Sequence, residues 1–231
     1  MVQSVLFSRR RRAGERTALA AQRYAALGWP VCPGAYPPPR GQRSAGAQRG
    51  VQRGGMQRAC SCDRVGCPAP GAHPLSPTWQ RQATTDPAEV TAAWQATPEA
   101  NVILVTGRVF DVLDVPAPVG TAALARMEAA GIRPGPVAIS PGNRALFFVA
   151  TRGAPADEDE WWSCHLDSEP EILADVAGLA WHCRDSYVVA PPSRFDDGQT
   201  ARWVRDPAAS PLPDGVRLLE VLADVCEELG L

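Results

Sequence analysis

The stretch NVILVTGRVFDVLDVPAPVG, residues 101–120, contains the two segments on which the fold prediction depends. Residues 101–107 are apolar and β-branched and residues 109–115 alternate in character, so both segments are predicted to be β-strands. Asp114 stands at the end of the second strand, just before a turn through Pro116. Many phosphate-handling enzymes place two carboxylates two residues apart at such a strand end to bind metal ions. Here the second of these places holds a proline.

Helices and further strands surround this stretch on both sides. Helices are predicted over 14–28, from Asp86 with Pro87 in its first turn, over 121–131 and over 214–230. Strands are predicted over 29–34, 136–140, 144–150, 186–193 and 201–204. Pro141-Gly142-Asn143 is a good turn between two of these strands, which favours a hairpin. Hairpins mixed with helices indicate an α+β fold with a largely antiparallel sheet.

The chain is predicted to form one domain, residues 13–231, after a disordered basic tail of residues 1–12. Residues 35–58 are rich in Pro, Gly, Gln and Arg and are predicted to be a flexible loop. In the first helix, Leu19, Arg23 and Leu27 follow one side. In the C-terminal helix an apolar stripe is expected to cover the sheet.

Neither a membrane span nor a signal peptide is expected. The chain has no run of about 18 apolar residues. Its start, MVQSVLFSRRRR, places the charges after a very short apolar stretch, which is the reverse of a signal peptide. We therefore predict a cytoplasmic protein.

The charge is distributed unevenly along the chain. Residues 1–81 contain 13 arginines against two acids, a net charge of +11, whereas residues 82–231 have a net charge of −13. A basic front half indicates an anionic partner such as nucleic acid, with the run Arg9, Arg10, Arg11 and Arg12 as its first candidate contact. The alternative is a solvated tail that binds nothing specific.

Three of the seven cysteines lie in the segment CSCDRVGCPAPGAHP, residues 60–74. The ligand set Cys60, Cys62, Cys67 and His73 matches a tetrahedral structural zinc site in type and number. Cys32 is an alternative fourth ligand. A loop of free cysteines is the competing interpretation, and a catalytic zinc is disfavoured because four protein ligands leave no open position. The predicted zinc loop covers residues 59–79.

Several segments together resemble the N-terminal domain of bifunctional DNA primase/polymerases, a branch of the archaeo-eukaryotic primase superfamily. The matching segments are AAQRYAALGWPVCPG, GAHPLSPTW, ATTDPAEVTAAW, NVILVTG, VFDVLDV, SPGNRALFF and SYVVAPPS. They follow the order of the family over about residues 20–195. No single segment is decisive, but the ordered set is fairly specific.

The resemblance implies a sheet related to the RNA-recognition motif, flanked by helices, with a small accessory subdomain that holds the zinc loop. Active members bind two divalent ions, Mg²⁺ or Mn²⁺, through carboxylates on adjacent strands. These ions hold the phosphates of the incoming nucleotide and activate a primer hydroxyl. A histidine on the hairpin strand contacts the nucleotide phosphates.

Only one of the four chemical positions that the resemblance implies keeps its residue type. Asp114 matches the first carboxylate, whereas Pro116 occupies the second. Ala145 occupies the histidine position and His182 the position of the third acid. Asp114 is therefore the predicted catalytic remnant.

Neighbouring residues offer limited substitutes. Asp111 lies three residues from Asp114, and an odd separation in a strand places side chains on opposite faces. Asp185 lies three residues from His182 and faces the same difficulty, unless the turn there reorients it. Arg144 is a candidate phosphate contact, which together with Asp114 forms the predicted nucleotide site.

We predict a primase/polymerase-like protein that is catalytically inactive and retains binding of DNA or nucleotide. Two alternatives stay open at this point. One is an active template-dependent primase/polymerase with an altered metal site, and the other is a regulatory scaffold that binds a protein partner.

Overall fold

The helices and strands of the chain form two sheets with helices packed around them. The computed structural model describes residues 2–38, 60–62, 64, 66–151 and 178–230, with side chains described from Arg12 onward. The helices are α1 (Val2–Ala26), α2 (Trp79–Gln82), α3 (Pro87–Ala96), α4 (Ala117–Ala129) and α5 (Gly215–Glu228). The strands are β1 (Val31–Gly34), β2 (Asn101–Val105), β3 (Phe110–Pro116), β4 (Val137–Ser140), β5 (Arg144–Ala150), β6 (Ala180–His182), β7 (Tyr187–Ala190) and β8 (Arg202–Arg205).

Both sheets are antiparallel throughout their strand pairs. The smaller sheet has the order β1-β2-β7 and the larger has the order β6-β3-β5-β4-β8. The predicted stretch 101–120 supplies the central strand of the first sheet, a strand of the second, and the start of α4. The prediction of an α+β fold with antiparallel sheets flanked by helices is confirmed.

The two faces of the larger sheet contribute to different cores, as the alternation of side chains in β3 predicts. Leu113 and Val115 belong to a cluster with Phe147 of β5 and with apolar residues of α4 and α5. Val112 belongs to a second cluster that contains Phe148, Trp29 and residues of α1 and the smaller sheet. Asp114 lies on the same face of β3 as Val112, because the two are separated by two residues.

The first helix differs from its prediction in extent and in orientation. Its backbone is helical from Val2, whereas the sequence predicted a helix from residue 14. Arginine, alanine and leucine have high helix propensity, and the first proline lies beyond the helix. The buried side of α1 contains Ala21, Tyr24 and Ala25. Leu19 and Leu27, whose side was singled out in the sequence, are 60% and 41% exposed.

Helix α3 begins as predicted, whereas α4 begins earlier. Asp86 Oδ1 accepts hydrogen bonds from the backbone N–H groups of Ala88 (2.8 Å) and Glu89 (2.9 Å), which caps α3. Helix α4 starts at Ala117, immediately after the last residue of β3, instead of at residue 121. Pro118 in its first turn is compatible with the helix, because the backbone N–H groups there have no intrahelical acceptor.

Helix α5 covers the sheet as predicted, since Leu218, Leu222 and Cys226 are buried in the cluster that also holds Phe147. Most of the predicted flexible loop 35–58 lies outside the described residues. Within the described part of the chain, no helix is long and apolar enough to cross a bilayer.

Candidate functional site

The ends of three adjacent strands, β3, β5 and β6, bring Asp114, Arg144 and His182 together. Asp114 lies opposite Leu146 of β5 and opposite Ala180 of β6. Arg144 and His182 are therefore diagonal neighbours of Asp114 on one face of the sheet. Their side chains are 17% (Asp114), 29% (Arg144) and 25% (His182) exposed, so the group is partly buried. These three residues and their surroundings at the strand ends are here called the cleft.

Arg144 fixes the carboxylate of Asp114. Its Nε donates to Asp114 Oδ1 at 2.7 Å, and its Nη2 donates to the backbone oxygens of Asp114 (3.1 Å) and Gly178 (2.7 Å). A charge-assisted bond backed by two carbonyl contacts holds the planar guanidinium in one orientation. The positive charge next to Asp114 is thus supplied by the protein itself.

His182 approaches the second oxygen of the same carboxylate. Its Nε2 lies 3.4 Å from Asp114 Oδ2, and its Nδ1 lies 3.1 Å from Ser186 Oγ. Ser186 was not singled out from the sequence, since a serine before a strand carries no distinctive signal. Both oxygens of Asp114 therefore have a nitrogen of a neighbouring side chain within 3.4 Å.

Pro116 lies on the face of Asp114, where a second carboxylate was expected. It is opposite Arg144 in the ladder between β3 and β5, and it is also the residue that precedes the first turn of α4. Gly178 packs against its ring, because a Cβ added at Gly178 would lie 3.2 Å from Pro116 Cγ. Gly178 also has a φ of +86°, a conformation that favours glycine.

Ala145 occupies the position at which the resemblance implies a histidine. It lies opposite Val115 and belongs to the core cluster beneath α4, so its side chain is on the face away from Asp114. A Cβ added at Gly120 of α4 would lie only 2.3 Å from Ala145 Cβ. A histidine at position 145 could neither fit there nor reach the cleft. The side chain that this strand end contributes to the cleft is that of Arg144.

The two other candidate acids stay apart from the site. Asp111 lies opposite Val149, on the face away from Asp114, as the odd separation predicts. Asp185 is in the turn after β6, with its side chain 73% exposed and 3.9 Å from Arg184. Neither residue supplies a second carboxylate next to Asp114.

A separate cluster gathers the four predicted metal ligands. The ligand atoms of Cys60, Cys62, Cys67 and His73 all lie within 4.8 Å of one another. His73 Nε2 is 3.3 Å from Cys60 Sγ and 3.4 Å from Cys67 Sγ. A zinc tetrahedron with Zn–S of about 2.3 Å and Zn–N of about 2.0 Å has edges of roughly 3.5–3.8 Å. This group of four residues, here called the metal-loop cluster, can hold a metal ion.

Backbone groups around this cluster orient its ligands. His73 Nδ1 lies 2.8 Å from the carbonyl oxygen of Pro74, which leaves Nε2 as the nitrogen that faces the sulfurs. A hydrogen bond of this kind selects the tautomer of a metal-binding histidine. The N–H of Gly71 donates to Cys60 Sγ at 3.5 Å. Burial acts to raise the pKa of Cys62. Hydrogen bonds from the Arg64 backbone and from neighbouring thiols outweigh it, so the pKa of Cys62 is lowered.

Cys32, the alternative fourth ligand, is not part of the cluster. It pairs with Ile103 in the smaller sheet and is 1% exposed within an apolar core. Burial raises the pKa of its thiol to about 12, so Cys32 remains a protonated core side chain at neutral pH.

The metal-loop cluster is attached to the smaller sheet through Asn101, a residue not singled out from the sequence. Its Nδ2 donates to the backbone oxygens of Gly71 (2.9 Å) and Arg194 (2.7 Å), and its Oδ1 accepts from the N–H of Arg194 (3.0 Å). Asn101 is fully buried. A buried amide at the start of an apolar strand was the available signal, since such a group requires partners.

The family model for the N-terminal domain of bifunctional DNA primase/polymerases matches residues 21–215. The chain belongs to this family. The match spans the cleft, the metal-loop cluster and both sheets of this prim-pol domain. No curated protein matches the chain in a sequence comparison.

The cleft of this prim-pol domain does not fit the two divalent ions on which the family depends. Mg²⁺ requires several oxygen ligands, and Asp114 is a single carboxylate whose Oδ1 is bound by a guanidinium. Among the described residues, three or more metal-ligating side chains gather only at the metal-loop cluster. That cluster does fit an ion, which would order a loop with little apolar core of its own.

Proposed function

We propose that this prim-pol domain does not catalyse nucleotidyl transfer and that it binds nucleic acid or nucleotide. The absence of catalysis is inferred from the hydrogen bond that Arg144 Nε donates to Asp114 Oδ1 at 2.7 Å. A two-metal reaction requires carboxylates that are open to cations. Here a fixed guanidinium neutralises the one carboxylate and repels a divalent ion.

The residues around the pair support the same proposal. Pro116 has no side-chain oxygen at the second position, and the imidazole of His182 is a poor ligand for Mg²⁺. The cleft therefore presents one cation and one imidazole beside a neutralised carboxylate. Such a site lacks a free carboxylate to hold the metal ions that activate a hydroxyl.

The distribution of charge along the chain supports binding of nucleic acid or nucleotide. The net charge of +11 over residues 1–81 is concentrated in arginines, which bind phosphate through charge and directional hydrogen bonds. The run Arg9–Arg12 lies within the helical backbone of α1, and Arg12 is exposed. Release of counterions from the nucleic acid would then drive association and make it salt-dependent.

We further infer that the ion of the metal-loop cluster is Zn²⁺. Three thiolates and one imidazole in a tetrahedral arrangement are the ligands of structural zinc, and they leave no open position for catalysis. Binding in small sites of this kind contributes about 10–16 kcal/mol, which is enough to order the loop.

Catalysis and binding are tested in separate experiments, catalysis first. Purified full-length protein is incubated with primed and unprimed templates and labelled nucleotides, with Mg²⁺ and with Mn²⁺. The expected result is no incorporation above that of an Asp114→Ala variant. Template-dependent incorporation that disappears in Asp114→Ala would establish the altered-site enzyme instead.

Binding is measured separately by fluorescence anisotropy with labelled oligonucleotides between 50 and about 200 mM salt, a range over which phosphate contacts lose affinity steeply. We expect affinity that falls with salt and that weakens when Arg9–Arg12 are replaced by alanine. Absent or salt-insensitive binding, combined with capture of one specific protein partner, would favour the regulatory scaffold.

A further inference from the structure

One side of α1 carries exposed basic and apolar residues in a single line. Arg12, Arg16, Leu19, Arg23 and Leu27, here called the α1 stripe, are spaced by four, three, four and four residues. This spacing places them on one side of the helix and its last turn. The three arginines are exposed, and Leu19 and Leu27 are 60% and 41% exposed.

Four residues of the α1 stripe line one wall of a groove with a volume of about 390 Å³, namely Arg16, Leu19, Arg23 and Leu27. Arg12 continues the stripe beyond the end of the groove. The opposite wall consists of Pro191, Pro192, Trp203 and the segment 206–208. The lining is mainly apolar, with Arg16 and Arg23 at the helix side and Asp206 opposite them. Arg23 and Asp206 lie 3.7 Å apart and are both well exposed, so their attraction is weak.

The polar side-chain atoms of Tyr24 and Trp203, which line the groove, are paired. Tyr24 Oη donates to the carbonyl oxygen of Pro191 at 2.6 Å and accepts from Trp203 Nε1 at 2.8 Å. Burial raises the pKa of Tyr24 well above its ordinary value and outweighs the hydrogen bond from Trp203, which lowers it. The hydroxyl therefore stays protonated. What the groove offers a ligand is therefore apolar surface beside arginine side chains.

We propose that a single strand of nucleic acid lies along the α1 stripe, with phosphates beside Arg12, Arg16 and Arg23 and with bases against the apolar groove. From Arg12 to Arg23 the helix rises about 16 Å, which is long enough for several nucleotides. The inference rests on the proposed nucleic-acid binding and adds its location and strand preference.

The pairing of charge with exposed apolar surface favours a single strand over a duplex. A duplex keeps its base faces stacked and would use the arginines alone, whereas a single strand also offers apolar base faces to Leu19 and Leu27. The guanidinium groups are suited both to phosphate and to stacking on bases. The positive charge of the front half disfavours a second copy of the same surface as the occupant.

The first experiment tests the arginines in the full-length, zinc-loaded protein. Affinity for a labelled oligo(dT) strand is measured by anisotropy over a salt series. The triple variant Arg12→Ala/Arg16→Ala/Arg23→Ala is compared with Arg81→Ala/Arg133→Ala/Arg217→Ala, which removes the same charge from exposed positions elsewhere. We expect a loss of tenfold or more, with a salt slope smaller by about 2, for the stripe variant only.

The second experiment tests the apolar part. Leu19→Ser/Leu27→Ser is expected to lower affinity for the single strand by about three- to tenfold, because the two leucines would no longer cover apolar base surface. Affinity for a duplex of the same length should not change. Val109→Ser, at an exposed apolar residue outside the groove, is the matched control.

The results of these experiments distinguish the location of the interface from nucleic-acid binding itself. If the unmodified protein binds nucleic acid and both triple variants lose affinity equally, the stripe is not the interface although the proposed function stands. If the unmodified protein binds neither strand form at low salt, the proposed function fails as well. A shift of the stripe variants in size-exclusion chromatography without nucleic acid would identify a self-association surface and overturn the inference.

Discussion

Arg144 and Asp114 form an ion pair across neighbouring strands, with Arg144 Nε 2.7 Å from Asp114 Oδ1. The same guanidinium also reaches the backbone oxygens of Asp114 and Gly178. The strand end that would receive metal ions in an active prim-pol domain thus has its own cation, held by three hydrogen bonds.

Arg144→Ala should destabilise the domain and open Asp114 to metal. Loss of hydrogen bonds to a charged group costs about 1–3 kcal/mol, measurable as a lower free energy of unfolding in urea. Mn²⁺ binding, followed by calorimetry, should tighten roughly tenfold, because a unit charge about 4 Å away contributes about 1–4 kcal/mol. Arg217→Ala, at an exposed position, should change neither quantity. Unchanged Mn²⁺ binding in Arg144→Ala would contradict the neutralising role.

Pro116→Asp should be tolerated by the fold. The residue precedes α4 with φ −53° and ψ 140°, and aspartate is among the preferred residues at that position. We expect unchanged or slightly higher stability. The new carboxylate would share the face of Asp114, so the double variant Pro116→Asp/Arg144→Ala should tighten Mn²⁺ binding by more than the two single effects combined. Additive or weaker binding in the double variant would argue against a shared site.

Ala145→His should destabilise the domain without creating a nucleotide contact. The side chain would be forced between β5 and α4, where Gly120 already packs directly on Ala145. Overpacking of this kind costs about 1–3 kcal/mol or more, measured by chemical unfolding. Ala150→His, at an exposed position of the same strand, should cost much less. Equal stability of the two variants would disprove the assigned orientation of Ala145.

The metal-loop cluster should contain close to one equivalent of zinc, measured by plasma mass spectrometry in protein purified without chelator. Cys67→Ala and His73→Ala should lose it, and chelation should render the cluster thiols reactive to alkylation. Cys32→Ala is the matched control and should retain the metal, since Cys32 lies in a separate core. Less than half an equivalent in the unmodified protein, or loss of zinc in Cys32→Ala, would refute the ligand assignment.

The sequence predicted the elements well where local chemistry decides them. The cap at Asp86, the hairpin strands and the four ligands of the cluster were all recognisable from residue type and spacing. The exposed side of α1 was not, because Leu19 and Leu27 have the spacing of a buried stripe. Burial depends on the elements that pack against a helix, and helix periodicity alone does not identify them.

The cleft was only partly predictable, for a similar reason. The alternation of side chains correctly separated Asp111 from Asp114, since that rule acts within one strand. The pairing of Arg144 with Asp114 depends on the register between β3 and β5, which the sequence does not specify. The same register turned Ala145 towards α4, where its small size is required by Gly120.

The order of strands in the smaller sheet has a consequence for synthesis of the chain. Strand β2 is central, and its two partners come from opposite ends of the sequence, β1 before it and β7 long after it. As the chain leaves the ribosome, β1 and β2 can pair early, but the other edge of β2 stays open until residues 187–190 emerge. Every residue of β2 is apolar except Asn101, and such an edge is prone to pair with other chains. The nascent protein is therefore most vulnerable to aggregation in the interval between the emergence of β2 and the emergence of β7.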